Sequence, residues 1–239
     1  MIWLFDLDNT LHNASFAIFP EISANMNAFL SVYMKKNGDV RLSTEAANQL
    51  RIEYWKRFGA TLLGISKVLD QRARDFLEAA HRFYDLKPLL SAERGLPVLF
   101  RKLPGRKVLL TNSAYRYSAD ILKLLGVHQF FEKHIAIESM RVFGKFEPKP
   151  SGKFFRKLLA MLKVRPEDCV LVEDNIHILK KAKAIGMKTV LVTRYLDRGR
   201  FSQHSYPYPS GKRQAGRPAF IDLKMTSVRR LTHYLERFC

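Results

Sequence analysis

Cysteine is scarce in this sequence, and its scarcity excludes a disulfide-based fold. Cys169 and Cys239 are the two cysteines among 239 residues, whereas small secreted domains rely on several cross-links. Cys169 lies inside an apolar run and is predicted to be a small core residue. We therefore expect a reducing, cytoplasmic location for the chain.

Long apolar runs are also missing. No run approaches the roughly 18 residues that a membrane-spanning helix needs, and no basic segment precedes the apolar residues at the N-terminus. We expect no membrane partner and no secretory signal. Hydrophobic residues nevertheless make up 47% of the chain, which is ordinary for a packed globular protein.

Acidic residues are few relative to basic ones. The 22 Asp and Glu residues face 41 Lys and Arg residues, so the formal charge is +19. Such a charge attracts anions, including phosphorylated small molecules and nucleic acid. A solvated basic surface without a specific partner is the alternative, and it stays open because no nucleic-acid-binding motif accompanies the charge.

One stretch near the C-terminus differs from the rest in composition. Residues 197–218 are rich in Pro, Gly, Tyr and basic residues such as Lys212, Arg213 and Arg217, with no acid after Asp197. This composition predicts a long irregular basic loop. Its charge motivates the hypothesis that nucleic acid binds there.

Hydrophobic periodicity divides the chain into two kinds of sequence. Residues 14–88 contain no convincing strand and predict helices at about 21–36, 44–58 and 66–84, the second capped by Ser43 or Thr44. From residue 89 onward, strands and helices alternate. The predicted strands are 107–111, 134–137, 169–173 and 188–192, with a possible edge strand at 220–221; the predicted helices are 98–103, 118–125, 152–162, 176–185 and 228–235. This alternation indicates an α/β fold with a parallel sheet covered by helices on both faces.

The first strand leads directly into two carboxylates. The apolar run before Asp6 and Asp8 is typical of a buried central strand, and ligands of open α/β sheets bind at the carboxyl ends of such strands. Asp-x-Asp is also a common turn sequence, so solvated turn residues are the alternative for these two acids.

Three further polar clusters support a shared site. Thr111 and Asn112 end the strand over 107–111, Lys149 precedes the helix over 152–162, and Glu173 and Asp174 follow an apolar strand. Taken singly, the Thr111–Asn112 pair and the Glu173–Asp174 pair could be helix caps, and Lys149 could be one of many solvated lysines. Four coincidences at strand or helix boundaries favour one common site instead.

The motifs together are similar to those of the haloacid dehalogenase-like (HAD) hydrolase superfamily. The segments FDLDNTL, LLTNS, KP and VLVEDN stand in that family's order and are followed by GMKTVLVT. The resemblance implies a Rossmann-like core formed by residues 1–13 and 89–239, with an all-helical cap domain of residues 14–88 inserted after the first strand.

The resemblance also implies residue roles that make chemical sense. Asp6 would be the nucleophile that forms an aspartyl-phosphate, and Asp8 would be the general acid and then the general base. Mg²⁺ would bind Asp6, the main-chain carbonyl of Asp8, and Asp174, since it prefers oxygen ligands and phosphate substrates. Glu173 would support the metal indirectly.

Three other residues would hold the phosphoryl group. Thr111 and the main-chain amide of Asn112 would bind its oxygens, while Lys149 would neutralise the charge that develops on it. Haloalkanoate dehalogenases of this superfamily lack an acid two residues after the nucleophile. Asp8 therefore favours a phosphatase over a dehalogenase.

Two stretches of sequence, one of them in the predicted cap domain, indicate a class of substrate. The stretch YWKRFGATLLG over 54–64 and LPGRKVLLTNS over 103–113 are similar to the pyrimidine 5′-nucleotidase branch. Aromatic and basic side chains can stack a base and attract a phosphate, and Trp55, Arg57 and Thr61 are the candidates for substrate contact. Tyr54 and Phe58, at i and i+4, could instead form the buried face of their helix.

We therefore expect a Mg²⁺-dependent phosphatase of small phosphorylated substrates, with a nucleoside 5′-monophosphate as the first candidate. A phosphoglycolate or sugar-phosphate phosphatase is the alternative among enzymes. A nucleic-acid-binding protein on the same scaffold is the alternative from another class.

Overall fold

A computed structural model describes residues 1–33, 41–58, 61–68, 72–196 and 217–238. Contacts between residues divide the chain into two compact units. The described part of the first comprises Met1–Ala14, Leu90–Leu196 and residues 217–238, and that of the second lies within Ser15–Leu89. Most of the predicted basic loop, including Lys212 and Arg213, lies outside the described residues, as does Cys239. Within the described residues, no helix combines the length and apolar character needed to cross a bilayer.

The first unit is built on a parallel sheet of six strands in the part of the chain that the structure describes. Its strands are β1 (Ile2–Phe5), β2 (Arg106–Leu110), β3 (Lys133–Ile135), β6 (Cys169–Glu173), β7 (Lys188–Val192) and β8 (Leu223–Met225). A separate antiparallel hairpin consists of β4 (Arg141–Val142) and β5 (Lys145–Phe146). The order of the sheet is β3-β2-β1-β6-β7-β8, so the α/β fold class predicted from the sequence is confirmed.

The register of the sheet brings the polar strand ends together. Phe5, the last residue of β1, pairs with Leu109 on one side and with Val172 on the other. Because all three strands are parallel, the residues that follow them emerge at the same edge of the sheet. This edge carries the site described below.

Helices cover the sheet and bury its side chains. They are α5 (Leu96–Lys102), α6 (Tyr115–Leu124), α7 (Gly152–Leu162) and α8 (Ile176–Lys183). In α7, apolar residues recur at helical spacing, and Phe154, Phe155 and Leu158 join a buried cluster with Leu4 and Leu171 of the sheet. Each fully buried side chain of this size stabilises the fold by about 1.5–3 kcal/mol relative to leaving it exposed.

The boundaries of several predicted elements agree with the structure, and others need correction. The predicted bounds of α7, β6 and β7 are confirmed, and Cys169 is fully buried as predicted. The edge strand is Leu223–Met225 rather than 220–221, and the last segment, Val228–Arg237, is a 3₁₀ helix interrupted at Tyr234 rather than a regular α-helix. The short hairpin β4–β5 has no counterpart in the prediction, because two-residue strands leave no periodic signal.

The second unit is all-helical in its described residues. Its helices are α1 (Ile18–Tyr33), α2 (Thr44–Phe58), α3 (Thr61–Val68) and α4 (Ala73–Ala80). Ser43, one of the two residues predicted to cap the N-terminus of α2, does so, since the main-chain amide of Ala46 donates to its Oγ at 3.2 Å. The single helix predicted over 66–84 is wrong, because α3 and α4 are separate helices that share this stretch.

Helices α2 and α3 approach each other closely at a glycine. A Cβ added to Gly64 would lie 2.7 Å from Cβ of Tyr54 and 2.6 Å from its Cδ2. We expect Gly64→Ala to lower the free energy of unfolding by about 1–3 kcal/mol. The clash should outweigh the gain of about 1 kcal/mol in helix propensity, and urea unfolding monitored by circular dichroism measures the difference.

Gly152→Ala provides the matched control for this variant. An added Cβ at Gly152 would meet the flexible end of Lys181 at 3.2 Å, so the side chain can move aside. A Gly64→Ala variant as stable as the Gly152→Ala variant would contradict the close packing of α2 on α3.

A half-buried histidine in β3 is expected to make stability depend on pH. Nε2 of His134 lies 2.7 Å from Oγ of Ser118, and its ring stacks on Tyr115 with centroids 4.4 Å apart. Burial lowers the pKa of His134 to about 4. Between pH 6.5 and pH 4 the unfolded chain therefore binds more protons than the folded chain, and stability falls as the pH falls through this window.

We expect His134→Gln to reduce this loss of stability by about 1–2 kcal/mol, a value that allows for solvent screening of a partly exposed ring. Thermal or urea unfolding at pH 6.5 and pH 4.5 measures it. His177→Gln, which removes an exposed histidine, is the control. Equal pH dependence in the His134→Gln variant and the wild type would contradict the prediction.

Candidate active site

Asp6 stands at the centre of the polar edge of the sheet. It directly follows β1, and its main-chain amide still donates to the carbonyl of Val172 at 3.0 Å. Its carboxylate is buried, with Oδ1 accepting from Nζ of Lys149 at 2.7 Å and Oδ2 accepting from the hydroxyl of Thr10 at 2.9 Å. Asn9, in the turn after Asp6, adopts a left-handed conformation with φ of 60°, which asparagine tolerates better than most residues.

Lys149 lies between two carboxylates. Its Nζ donates to Asp6 and also to Oε2 of Glu173, each at 2.7 Å, and all three side chains are buried. Burial lowers the pKa of Lys149, but the charges of Asp6 and Glu173 outweigh burial and hold the pKa above its usual value. The lysine is therefore a fixed positive charge beside Asp6.

The side chain of Asn112 fixes the position of Lys149. Its Nδ2 donates to the main-chain carbonyl of Lys149, and its Oδ1 accepts from the main-chain amide of the same residue, both at 2.9 Å. Thr111 is buried, and its hydroxyl accepts from the main-chain amide of Ser113 at 3.1 Å. The LLTNS turn thus lies beside the lysine that precedes α7.

Three carboxylates converge at this edge. One oxygen from each of Asp6, Glu173 and Asp174 lies within 4.8 Å of the others, and all three residues are buried. Burial, and then the charge of Glu173, raise the pKa of Asp6 to about 7, against the opposing effect of Lys149. Lys149 contributes one positive charge against three carboxylates, so a cation would be attracted to the cluster.

Asp8 has its own set of hydrogen-bond donors. Its Oδ1 accepts from the hydroxyl of Tyr117 at 2.6 Å and lies 3.0 Å from Nε2 of His12, while its Oδ2 accepts from the hydroxyl of Ser113 at 2.5 Å. Burial raises the pKa of Asp8, but the hydrogen bonds and charge of His12, together with Ser113 and Tyr117, outweigh burial and lower it overall. Asp8 is therefore held as a carboxylate.

A family model for haloacid dehalogenase-like hydrolases matches residues 2–193 of this chain, which include all four polar clusters. The chain belongs to this hydrolase family. The HAD-like resemblance inferred from the motifs is thus confirmed at the level of the superfamily.

Similar proteins agree with this assignment. Pyrophosphatase PpaX from Halalkalibacterium halodurans is 25% identical over 197 residues, which cover 79% of this chain and 81% of that protein. Glyceraldehyde 3-phosphate phosphatase from Pyrococcus furiosus is 28% identical over 146 residues, or 57% of this chain and 55% of that protein. The crystal structure of a HAD phosphatase from Thermococcus onnurineus superposes with a TM-score of 0.60 at 20% identity, covering 98% of this chain and 97% of that one.

The carboxylate cluster of this HAD-like hydrolase fits a divalent cation. The donor set is all oxygen and carries excess negative charge, as Mg²⁺ requires. Asp6 and Asp174 could provide carboxylate ligands. Oε2 of Glu173 accepts from Nζ of Lys149, and its Oε1 accepts from the main-chain amide of Asn175 at 3.2 Å. These bonds orient its carboxyl group next to the proposed ligands.

The alternative roles of these polar residues as helix caps are resolved by the structure. The side chain that caps α8 is Asn175, which accepts from the main-chain amide of His177 at 2.9 Å, rather than Glu173 or Asp174. Helix α6 has Ala114 at its N-cap and no side-chain cap, so neither Thr111 nor Asn112 serves there.

The candidates for substrate contact in the helical unit have different surroundings. Thr61 is buried, and its hydroxyl donates to the main-chain carbonyl of Arg51 at 3.3 Å. Trp55 is half-buried, whereas Arg57 is exposed, with its guanidinium 5.2 Å from the ring of Phe58. Tyr54 is buried against Gly64, as the alternative of a buried helix face predicts.

Proposed function

We propose that this HAD-like hydrolase is a Mg²⁺-dependent phosphomonoester hydrolase that works through an aspartyl-phosphate on Asp6. The observation that carries the proposal is the buried Asp6–Lys149–Glu173 arrangement, with Asp174 beside it and Asp8 two residues away. Phosphatase and pyrophosphatase names among its relatives support phosphoryl chemistry.

In the first step, an oxygen of the Asp6 carboxylate attacks the phosphorus atom while the bond from phosphorus to the leaving oxygen breaks. The hydrogen-bond donors around Asp8 favour its carboxylate form, so Asp8 must take up a proton before this step. It then donates that proton to the leaving oxygen, and the product leaves as an alcohol. Phosphoryl oxygens are bound by the hydroxyl of Thr111 and by the main-chain amide of Asn112. Lys149 balances the charge of these oxygens.

In the second step, Asp8 removes a proton from a water molecule, whose oxygen attacks the phosphorus of the aspartyl-phosphate. The bond between phosphorus and Asp6 then breaks, which restores the carboxylate and releases inorganic phosphate. Asp6, Asp174 and the main-chain carbonyl of Asp8 would hold the Mg²⁺, which when bound supplies positive charge to the phosphoryl oxygens.

The first substrate candidate is a nucleoside 5′-monophosphate. The YWKRFGATLLG stretch supports it, with the half-buried Trp55 and the exposed Arg57 as contacts for a base and a phosphate. In this proposal the helical unit, residues 14–88, serves as a cap. Small sugar phosphates and phosphoglycolate are the alternative substrates, and the name of the Pyrococcus furiosus relative supports a phosphorylated sugar.

A substrate screen tests the proposal. Release of inorganic phosphate is measured with UMP, CMP, AMP, phosphoglycolate, glyceraldehyde 3-phosphate, sugar phosphates and pyrophosphate, each with Mg²⁺ and with excess chelator. We expect turnover with Mg²⁺ and its loss on chelation. Hydrolysis of no phosphate ester would overturn the proposed activity, and a preference for sugar phosphates would replace the nucleotide assignment.

Nucleic-acid binding is a second candidate function, favoured by the basic helices of the core. The sequences of α7 and α8 contain no acid, and their exposed basic side chains are Lys153, Arg156, Lys157, Lys180 and Lys181. Binding of a labelled oligonucleotide that weakens steeply with salt would support this function. The absence of binding at moderate salt would exclude it.

A further inference from the structure

The side chain of Asp8 is held more completely than its assigned role in proton transfer requires. Both of its oxygens are engaged: Oδ1 by the hydroxyl of Tyr117 at 2.6 Å and by Nε2 of His12 at 3.0 Å, and Oδ2 by the hydroxyl of Ser113 at 2.5 Å. The residue roles that the family resemblance implies do not include His12, Ser113 or Tyr117, although Ser113 lies in the LLTNS segment.

The donors come from separate elements, so they restrain the carboxylate from several directions. His12 lies four residues after Asp8, Ser113 follows β2, and Tyr117 lies in α6. His12 is fully buried and Tyr117 is 1% exposed, and their rings meet edge to face with centroids 6.5 Å apart. Buried, packed side chains of this kind have little freedom to change rotamer.

One of the donors is linked to the turn that would hold the phosphoryl group. The main-chain amide of Ser113 donates to the hydroxyl of Thr111 at 3.1 Å, while the hydroxyl of the same serine donates to Asp8. A single turn therefore sets the position of both the phosphoryl-binding hydroxyl and the proton donor. Proton transfer requires the donor within hydrogen-bond distance of the acceptor, and an error of about 1 Å can cost about 10²-fold in rate.

We propose that Tyr117 and His12 are positioning residues that aim the carboxyl group of Asp8 at the oxygen of the leaving group. This inference rests on the proposed phosphatase function. It assigns to α6 a part in positioning the general acid, since Tyr117 acts through its hydrogen bond to Asp8.

The positioning of a general acid can be detected by comparing substrates whose leaving groups differ in basicity. An alkyl alkoxide is strongly basic and needs a proton as the bond from phosphorus to oxygen breaks, whereas p-nitrophenolate leaves readily without one. The parameter kcat/KM reports the steps up to departure of the leaving group, so later hydrolysis of the aspartyl-phosphate does not affect it. Misplacing Asp8 should therefore lower kcat/KM for alkyl phosphates selectively.

The test compares Tyr117→Phe with Tyr115→Phe, which removes a hydroxyl from the same helix at a residue that is 55% exposed. The probes are p-nitrophenyl phosphate and the alkyl phosphate that the wild type hydrolyses fastest in the screen. For Tyr117→Phe we expect kcat/KM to fall about tenfold or more with the alkyl phosphate and less than about twofold with p-nitrophenyl phosphate. Tyr115→Phe should match the wild type with both probes.

His12→Gln provides a second variant with the same expected pattern, and it carries the test if Tyr117→Phe does not fold. An equal fall with both probes, or no fall with either, would overturn the positioning role. If the wild type hydrolyses neither probe, the proposed phosphatase function itself fails. The two failures are thereby distinguished.

Discussion

We expect the replacement of Asp6 by asparagine to lower turnover by about 10⁴-fold or more and to leave the fold intact. The amide is a poor nucleophile and cannot form the acyl phosphate. Asparagine has nearly the same shape: its carbonyl oxygen can accept from Nζ of Lys149, and its amide nitrogen can donate to the hydroxyl of Thr10, which lies 2.9 Å from the Asp6 carboxylate. Phosphate release at saturating substrate measures the effect.

The stability of the Asp6→Asn variant should equal or exceed that of the wild type in the absence of metal. Burial and the neighbouring Glu173 raise the pKa of Asp6 to about 7, so its charged form is disfavoured near neutral pH, and asparagine removes that cost. Asp120→Asn, at a surface acid 3.9 Å from Lys123, is the control and should keep full activity. Wild-type turnover in the Asp6→Asn variant would exclude Asp6 as the nucleophile.

We expect the replacement of Lys149 by methionine to lower both activity and stability. Its Nζ lies 2.7 Å from Asp6 and 2.7 Å from Glu173, so the variant leaves two buried carboxylates without their cation. Loss of one partner from a buried ion pair costs about 3–5 kcal/mol of stability. Loss of the charge beside the phosphoryl group should lower kcat by at least about 10²-fold.

Two further variants separate these effects. Lys153→Met removes a lysine at the start of α7 whose Nζ lies 3.9 Å from the nearest carboxylate oxygen of Glu147 and whose side chain is 72% exposed; it should change stability by less than about 1 kcal/mol. Adding Glu173→Gln to Lys149→Met removes one unpaired charge and should restore part of the stability without restoring activity. Full stability of the single Lys149→Met variant in chemical unfolding would contradict the buried ion pair.

The parts of the fold that local sequence determines agree closely with the structure. Strands β6 and β7 and helix α7 have the predicted bounds, because each combines an apolar period with a clear turn or capping residue. Short elements were predicted less well. The strands of the hairpin β4–β5, and the separate helices α3 and α4, each contain too few residues for a hydrophobic period to be read.

Local sequence also marks most of the residues that converge at the sheet edge. Asp6, Lys149 and Glu173 each adjoin a strand or helix end in the sequence, and the structure joins them in one ion-paired cluster. Parallel strands that end at the same edge bring their following residues together whatever their separation along the chain. Their catalytic roles remain predictions that the variants above test.

Sequence by itself determined the alternation of strand and helix, the polar residues at the strand ends and the family to which they belong, since these depend on neighbours along the chain. Tertiary structure alone decided that Tyr117, 109 residues after Asp8, would donate to its carboxylate, and that Asn112 would hold the main chain of Lys149. These contacts depend on strand order and on the rotation of α6 about its axis. Neither is encoded in a local pattern, because both follow from how the whole core packs.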